Sequence, residues 1–314
     1  MTQTTVSVAL AADAGYAMPM TVAARSVVES LDAGVRLQLC ILDMGIDGAT
    51  RVRVEQSLFG PNVELVWIDS LVDRVNDFPN TWPVITRATY ARIYLPEVLP
   101  AVDRVLYLDC DVMARRSVSE LFAADMNGYF ALATPDVQAP FVPFGVPDWF
   151  EAGRSAAELN YNAGVMLLDL DAWRTHGITE ELLHYLTGGR HLRGQDQEAI
   201  NVVLGKRIGE MDPRWNQQGE IFWEGIQYHY EEFLPFTHAM LEQIRRDPWI
   251  VHFSNRPKPW DYGCDHPFAG EWYALLDRTA FAGRRPKGPN RAQRIAAKLG
   301  RPVVRGARKV LTRA

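Results

Sequence analysis

Two carboxylates separated by one residue follow a hydrophobic run in the segment VLYLDCDVM, residues 105–113. In an extended chain the side chains of residues i and i+2 point the same way, so Asp109 and Asp111 present their carboxylates to one point while Cys110 faces away. Two like charges at the end of a buried strand are costly unless a cation neutralises them. Mg²⁺ and Mn²⁺ take oxygen ligands of this kind and often share them with substrate phosphates. The alternative is a solvated strand end, because an isolated DxD tripeptide is a weak signal.

The elements that must position this pair alternate along the chain. Strand-like runs are predicted at residues 5–12, 37–42, 63–68, 104–108, 129–134, 163–170 and 249–253. Helical stretches lie between them, among them residues 20–31, 87–99 and 195–204. This alternation predicts an α/β fold of right-handed βαβ units, with a mostly parallel central sheet flanked by helices.

Polar residues stand where several of these runs end. In open α/β sheets ligands bind beyond the carboxyl ends of the strands. The residues at such ends are Asp13, Asp69, Asp109, Asp136 and His252. The sequence has no GxGxxG or GxxxxGK[ST] segment, which argues against a classical dinucleotide site or a P-loop.

Composition indicates a globular protein. The 314 residues are 47% hydrophobic and 23% charged, and no window approaches eighteen consecutive apolar residues. The N-terminus lacks the basic flank and the length of an export signal, so a cytoplasmic location is expected. The three cysteines, Cys40, Cys110 and Cys264, are widely spaced, which predicts reduced thiols rather than a disulfide framework or a zinc site.

The charge is unevenly distributed, which suggests a division into residues 1–283 and a tail of residues 284–314. The tail has eleven basic residues and no acidic one, whereas the chain as a whole carries −5. Apolar residues recur every four positions within the tail, the pattern of a basic amphipathic helix, although Gly300 and Pro302 interrupt it. The tail is therefore predicted to contact an anionic membrane surface. A solvated basic extension is the alternative, and the acidic remainder of the chain argues against nucleic acid.

Two enzyme classes place DxD after a hydrophobic strand. In haloacid-dehalogenase-like phosphatases the motif lies on the first strand and usually ends in Thr or Val, whereas here three βα units precede it and Met113 stands at that position. In sugar-nucleotide-dependent glycosyltransferases of the GT-A fold, which is Rossmann-like, the motif follows a nucleotide-binding half and holds a metal on the diphosphate. The position of the motif favours the second class. A catalytically silent sugar-nucleotide-binding protein is a third interpretation.

Six segments in a fixed order carry a resemblance to a known family. They are AAD (11–13), TYARIYLP (89–96), VLYLDCDV (105–112), YNAGVMLLDLDAWR (161–174), GQDQEAIN (194–201) and HFSNRPKPW (252–260). With them the chain resembles glycosyltransferase family 8, which includes retaining hexosyltransferases such as the lipooligosaccharide α-galactosyltransferases of bacteria. The resemblance covers roughly residues 5–280. It implies a GT-A fold, a UDP-sugar donor, Mn²⁺ or Mg²⁺, and retention of the anomeric configuration.

The resemblance also implies which residues bind the nucleotide. Asp13 matches the aspartate that accepts a hydrogen bond from the uracil imide, and Ala11 and Tyr16 flank it on the nucleotide side. Lys258, held between two prolines, would place a positive charge on the diphosphate. Asn255 stands where the family frequently has glycine, at a backbone contact to phosphate.

Metal ligands are implied in the same way. Asp109 and Asp111, together with His252, match the family's ligand set, and Asp109 also lies beside the donor. Two carboxylates and an imidazole suit Mn²⁺.

Five residues match positions around the donor sugar. Arg92, one helical turn from Thr89, would aim its guanidinium at the sugar and the adjacent carboxylate. Asn162 would lie beside the attacked carbon, and Asp196 and Gln197 would hold donor hydroxyls, with Asp136 as a further active-site position. The family leaves two retaining mechanisms open: double displacement at Gln197, or same-face attack by the acceptor. Read without the family, the QDQ at the start of a helix is a plausible N-cap.

Acceptor recognition is less readable. The aromatic, proline-rich residues 137–159 are predicted to form a lid, and residues 214–230 offer aromatic faces for stacking on sugars, although aromatic clusters more often belong to the core. Val84 replaces a histidine found in some galactosyltransferases. The sequence thus predicts a UDP-galactose or UDP-glucose transferase that builds a cell-surface glycan or glycolipid such as lipopolysaccharide, peripheral on the inner face of the membrane.

Overall fold

Residues 4–79, 86–189, 192–222 and 235–288 are described by the computed structural model of the chain. In these ranges the strands are Thr5–Ala12 (β1), Arg36–Asp43 (β2), Val63–Ile68 (β3), Arg104–Leu108 (β4), Val112–Ala114 (β5), Ala131–Pro135 (β6), Tyr161–Asp169 (β7), Ile208–Glu210 (β8), Gln217–Gln218 (β9) and Ile250–His252 (β10).

The helices follow the same order along the chain. They are Ala17–Ser30 (α1), Gly48–Leu58 (α2), Val72–Asn76 (α3), Leu95–Val98 (α4), Ser119–Phe122 (α5), Val142–Gly145 (α6), Leu170–Thr175 (α7), Ile178–Thr187 (α8), Gln195–Leu204 (α9), His238–Arg246 (α10) and Ala269–Leu276 (α11). Segments of 3₁₀-helix span Arg87–Tyr94, Gly205–Arg207, Pro213–Asn216 and Gly219–Phe222.

Seven strands form the central sheet in the order β3-β2-β1-β4-β7-β6-β8. All are parallel except β7, which runs antiparallel to both β4 and β6. The predicted α/β fold with a mostly parallel sheet is therefore confirmed. Because β7 is reversed, its first residues rather than its last lie at the edge where the parallel strands end.

The seventh predicted strand, residues 249–253, does not belong to this sheet. It forms β10 of a separate three-stranded sheet, in the order β5-β10-β9. β5 begins at Val112, four residues after β4 ends at Leu108, so the chain leaves the large sheet for the small one across the DxD motif. The carboxylate pair lies at the junction of the two sheets.

Both faces of the central sheet are covered. On one face of β1, Val6, Val8 and Leu10 pack with buried residues of α1 and α11. On the other face, Ala9 and Ala11 pack with buried residues of α8, α9 and the 3₁₀-helix Arg87–Tyr94. Burial on both faces explains why β1 reads as an unbroken apolar run. No helix among the described residues is long and apolar enough to cross a membrane.

The segment predicted as one helix at 87–99 is a 3₁₀-helix followed by the short α4. In a 3₁₀-helix side chains three residues apart eclipse each other. Thr89 and Arg92 are accordingly aligned, and Nη2 of Arg92 donates to Oγ1 of Thr89 at 2.8 Å.

The first residues of the predicted tail return to the folded chain. Arg285 forms an ion pair with Asp277 at 2.6 Å and lies over the ring of Tyr273. From residue 289 onward the tail is outside the described residues, so its predicted helix and membrane contact remain predictions.

His266 is enclosed by three phenylalanine rings, those of Phe222, Phe253 and Phe268. Burial lowers the pKa of His266 to about 4, although the charge of Asp265 opposes this. Because the unfolded chain binds this proton more readily, His266 is expected to destabilise the fold as pH falls from about 6.5 towards 4. In H266F the loss of unfolding free energy between pH 7 and 5 should shrink by about 1–2 kcal/mol, measured by urea denaturation. An unchanged pH dependence would contradict this assignment.

Candidate active site

A cavity of about 600 Å³ opens where β1 and β4 end and β7 begins. Most of the predicted site residues line it: Ala11, Tyr16, Arg92, Asp109, Asp111, Asp136, Asn162, Asp196, Gln197, His252 and Lys258. Residues from distant parts of the chain thus converge on one space, as the fold class predicts for a ligand site. Two of the predicted site residues, Asp13 and Asn255, do not belong to the lining that the described part of the chain forms.

Three side chains meet at the junction of the two sheets. Asp109, Asp111 and His252 each offer one ligand atom, and these atoms lie within 4.8 Å of one another. Nδ1 of His252 is 2.8 Å from Oδ1 of Asn216, and Nε2 points to Asp111 at 3.3 Å. Two carboxylate oxygens and an imidazole nitrogen with a second partner on its other side are a donor set that fits a divalent cation.

Positive charge stabilises the Asp111 carboxylate. Burial would raise the pKa of Asp111, but Lys258 and His252 outweigh it and hold that pKa far below its usual range. Nζ of Lys258 lies 2.6 Å from Oδ2 of Asp111 and donates to the carbonyl oxygens of Phe253 and Ser254. Burial alone would lower the pKa of His252, and the charge of Asp111 raises it. Lys258, predicted to face a diphosphate, is therefore held at the carboxylate pair in this structure.

Arg92 is 3% exposed and organises the opposite wall. Its guanidinium lies 2.8 Å from Oδ1 of Asp109 and 2.9 Å from Oδ2 of Asp196, and it donates to the carbonyl oxygen of Ala163. It also lies over the ring of Tyr107. Burial would lower the pKa of Arg92, but the two carboxylates raise it, so the charge is fixed.

Asp196 faces Arg92. Burial raises the pKa of Asp196, opposed by Arg92 and by Thr89, whose hydroxyl donates to Oδ1 at 2.8 Å. The N-cap residue of α9 is Gly194, and Glu198 accepts its backbone N–H at 2.9 Å. No side chain of the QDQ segment caps the helix, but Asp196 does lie in its first turn, where an acid near the positive end of the helix dipole was predicted.

Asp136 holds two amide side chains. Its Oδ2 accepts from Nδ2 of Asn162 at 3.1 Å and from Nε2 of Gln197 at 3.0 Å. Its Oδ1 accepts the backbone N–H groups of Gln138 and Ala139. Since its carboxylate already accepts four hydrogen bonds, Asp136 is suited to positioning Asn162 and Gln197 rather than to attacking a substrate.

The predicted nucleotide edge contains one pre-formed turn. Oδ1 of Asp13 accepts hydrogen bonds from the backbone N–H groups of Gly15 and Tyr16, and this turn leads into α1. The other carboxylate oxygen, Oδ2, takes no part in these two hydrogen bonds. Burial, together with the charge of Asp111, raises the pKa of Tyr16 to about 12, so its hydroxyl stays protonated. Asn255 packs so tightly on Gly219 that a side chain at 219 would collide with it.

Gly164 permits the close approach of Asp109 and His252. A Cβ at this position would collide with Cε1 of His252 and lie 2.8 Å from Oδ2 of Asp109. We expect G164A to displace both side chains and to lower the affinity for Mn²⁺ by tenfold or more. The measurement is the Kd for Mn²⁺, obtained by titrating each protein with MnCl₂. Gly270, at the start of α11, has open space around its Cβ position and serves as the control, so equal effects of G164A and G270A would contradict this explanation.

Sequence reasoning missed the residues that connect these groups. Asn216, Gln218 and Glu220 are buried polar residues within RWNQQGE, a segment considered for its aromatics. No local signal marks them, because only Gln217–Gln218 is a strand and Gln217 and Gly219, which lie between them, are also buried.

The aromatics of that segment divide by position. Trp215 is buried against Trp249, so it belongs to the interior, whereas the half-buried Phe222 packs against His266 and Phe268. Trp223, Tyr228, Tyr230 and Val84 lie outside the described residues. In the predicted lid, Phe144 and Gly145 line the cavity.

A mostly parallel α/β sheet, with a carboxylate pair where β4 ends and a cavity beyond it, is the arrangement expected of a glycosyltransferase of the GT-A fold. The chain belongs to glycosyltransferase family 8, whose sequence model matches residues 7–264. The resemblance seen in the sequence is thereby confirmed.

Relatives agree with this membership, and a solved structure agrees with the fold. General stress protein A of Bacillus subtilis is 26% identical over 277 residues, which is 85% of this chain and 92% of that protein. A lipopolysaccharide 1,2-glucosyltransferase of Escherichia coli K12 is 27% identical over 221 residues, 68% of this chain and 61% of that one. The structure of the galactosyltransferase LgtC with donor and acceptor sugar analogues superposes with a TM-score of 0.69, at 24% identity, covering 92% of this chain and 99% of that one.

Proposed function

We propose that this glycosyltransferase moves a hexose, galactose or glucose, from a UDP-sugar to a glycan or glycolipid acceptor, with retention of configuration and a requirement for Mn²⁺ or Mg²⁺. The observation that carries the proposal is the convergence of Asp109, Asp111 and His252 on one wall of a cavity whose other wall holds Asp136, Asn162, Asp196 and Gln197. Membership of family 8 and the lipopolysaccharide glucosyltransferase among the relatives support it.

The chain's own residues can perform the parts of this reaction. A divalent cation bound by Asp109, Asp111 and His252 would stabilise the negative charge that develops on the departing diphosphate. Lys258 adds a buried positive charge at the same end of the cavity. Because these positive charges would stabilise the departing diphosphate, the reaction would need no general acid for the leaving group.

The sugar end suits positioning. Oε1 of Gln197 accepts the backbone N–H of Ala163 at 3.0 Å, and its Nε2 donates to Asp136. Because both ends of the amide are already engaged, Gln197 is better placed to orient the sugar than to form a covalent bond with it. We therefore favour attack by the acceptor on the same face as the leaving group. Asp13, Ala11, Tyr16 and Asn255 would border the nucleotide.

A donor screen tests the proposal. UDP-glucose, UDP-galactose and their N-acetyl forms are incubated with and without Mn²⁺, and UDP release is measured. Slow Mn²⁺-dependent hydrolysis of one hexose donor, accelerated by a saccharide acceptor, is the expected result. Phosphate release from sugar phosphates would instead support the phosphatase, and UDP binding without any turnover would indicate a silent binding protein.

The tail extends the proposal to location, which we take to be the cytoplasmic face of a membrane. Beyond Gly288 the chain carries eight basic residues, and each contributes about 1 kcal/mol near an anionic leaflet. We expect the full chain to co-sediment with anionic vesicles at low salt and to be released at high salt, because the attraction is screened. A chain ending at Gly288 keeps the Arg285–Asp277 pair and should stay in the supernatant while still hydrolysing donor. Equal sedimentation of both chains would refute the membrane role.

A further inference from the structure

Residues 216–220 form a buried polar strip beneath the cavity. Asn216, Gln218 and Glu220 are each no more than 2% exposed, and the two residues of β9 join the 3₁₀-helix that ends at Asn216 to the one that contains Glu220. Gln218 binds the backbone of residues 135 and 137 through both ends of its amide. Glu220 accepts from Gln138 and from Ser254, both of which line the cavity. The strip therefore joins the segment after β6 to the loop after β10.

Asn216 has the most specific contacts in this strip. Its Oδ1 lies 2.8 Å from Nδ1 of His252, and its Nδ2 donates to Oδ1 of Asn162 at 2.9 Å. It thus touches one predicted metal ligand and one residue predicted to lie beside the donor sugar. Asn216 itself does not belong to the cavity lining formed by the described residues.

Hydrogen bonds connect Asp136, Asn162, Asn216 and His252 in series. Their donor and acceptor directions follow from Asp136. An ionised carboxylate can only accept, so the group of Asn162 that faces Asp136 must be its NH₂. The Asn162 oxygen then accepts from the backbone N–H of Gly164 at 3.0 Å and from Asn216. The NH₂ of Asn216 is thereby used, and its oxygen faces His252. An amide oxygen has no proton to give, so Nδ1 of His252 carries a hydrogen, and Nε2 is the ring nitrogen left to bind a metal ion.

We propose that Asn216 is a positioning residue. It fixes the ring orientation and tautomer of His252 and joins this side chain to Asn162, so that the cation end and the sugar end of the cavity keep a fixed position relative to each other. This inference rests on the metal-dependent function proposed above. A histidine ligand whose other nitrogen has a fixed partner keeps its lone pair aimed at the metal, and loss of such a partner typically lowers metal affinity 10–100-fold.

Two substitutions separate the two contacts. In N216D an oxygen still accepts from His252, but the donor to Asn162 is lost and a charge is placed opposite its oxygen. In N216L both contacts are lost at similar volume. N160D is the matched control, because Asn160 is an equally buried asparagine whose amide NH₂ donates to the carbonyl oxygen of Ala139.

The readouts are the apparent Kd for Mn²⁺, from UDP binding titrated with MnCl₂ at fixed pH, and kcat for donor hydrolysis. We expect N216L to weaken Mn²⁺ binding 10–100-fold. N216D should keep the Mn²⁺ Kd within about threefold of the wild type while kcat falls at least about tenfold, because the contact to Asn162 is lost. N160D should melt at a lower temperature with an unchanged Mn²⁺ Kd.

Wild-type Mn²⁺ affinity in N216L, or equal weakening in N216L and N160D, would overturn the positioning role. A parallel loss of Mn²⁺ affinity in N216D and N216L would overturn the separation of the two contacts. If the wild type itself shows no Mn²⁺-dependent UDP binding, it is the proposed function that fails.

Discussion

Replacement of Asp109 or Asp111 by asparagine is expected to lower the transfer rate by roughly 10³-fold or more, since cation catalysis supplies several kcal/mol of transition-state stabilisation. Asparagine conserves the volume and removes one charge of the convergent set. D109N should fold as the wild type does, because a carbonyl oxygen can still accept from Arg92. D111N should be less stable, since it leaves the buried Lys258 ammonium without its carboxylate.

The control for this pair is D69N. Asp69 also follows a strand of the central sheet, but it is exposed and pairs with Arg51 at 3.6 Å, away from the cavity lining. Initial rates with and without EDTA provide the measurement. Transfer that survives EDTA, or equal rates in D69N and D109N, would show that the carboxylate pair does not hold a required metal.

R92M is expected to cost about 3–5 kcal/mol of unfolding free energy, because it leaves Asp109 and Asp196 close together with no compensating charge. The added change D196N should recover part of this loss by removing one buried charge. Arg74, which pairs with Glu97 where both side chains are about 40% exposed, is the control, and R74M should cost about 0–1 kcal/mol.

Urea denaturation of the four proteins gives these values. Similar losses in R92M and R74M would mean that Arg92 is no more than a solvated helix residue. The absence of any recovery in the double variant would mean that packing around the guanidinium, and not charge, determines the loss.

The sequence was sufficient for seven of the ten strands among the described residues and for the convergence of most site residues, whereas β5, β8 and β9, of two or three residues each, are too short to leave a local pattern. Strand runs such as 163–170 and 249–253 were located correctly, yet the direction of the first and the sheet of the second were not predictable. An apolar run has the same composition whichever way it pairs, and pairing partners are set by contacts between distant residues.

The site was predictable where a residue type implied a role, as for the two aspartates. It was not predictable where a role depends on a neighbour. Nothing local distinguishes Asn216 from a surface asparagine, and nothing in the Pro-Lys-Pro segment indicates that Lys258 contacts Asp111. These contacts join residues 36 and 147 positions apart along the chain.

The directional hydrogen-bond chain from Asp136 to His252 has a consequence for divergence among related enzymes. Each amide in it donates on one side and accepts on the other, so reversing any one member leaves two neighbours facing like groups. Such a chain resists stepwise replacement, since a viable change would require several simultaneous substitutions. Evolution of a new donor or acceptor preference is therefore expected to proceed at the rim, at positions such as Gln138 and Phe144, while the interior stays constant.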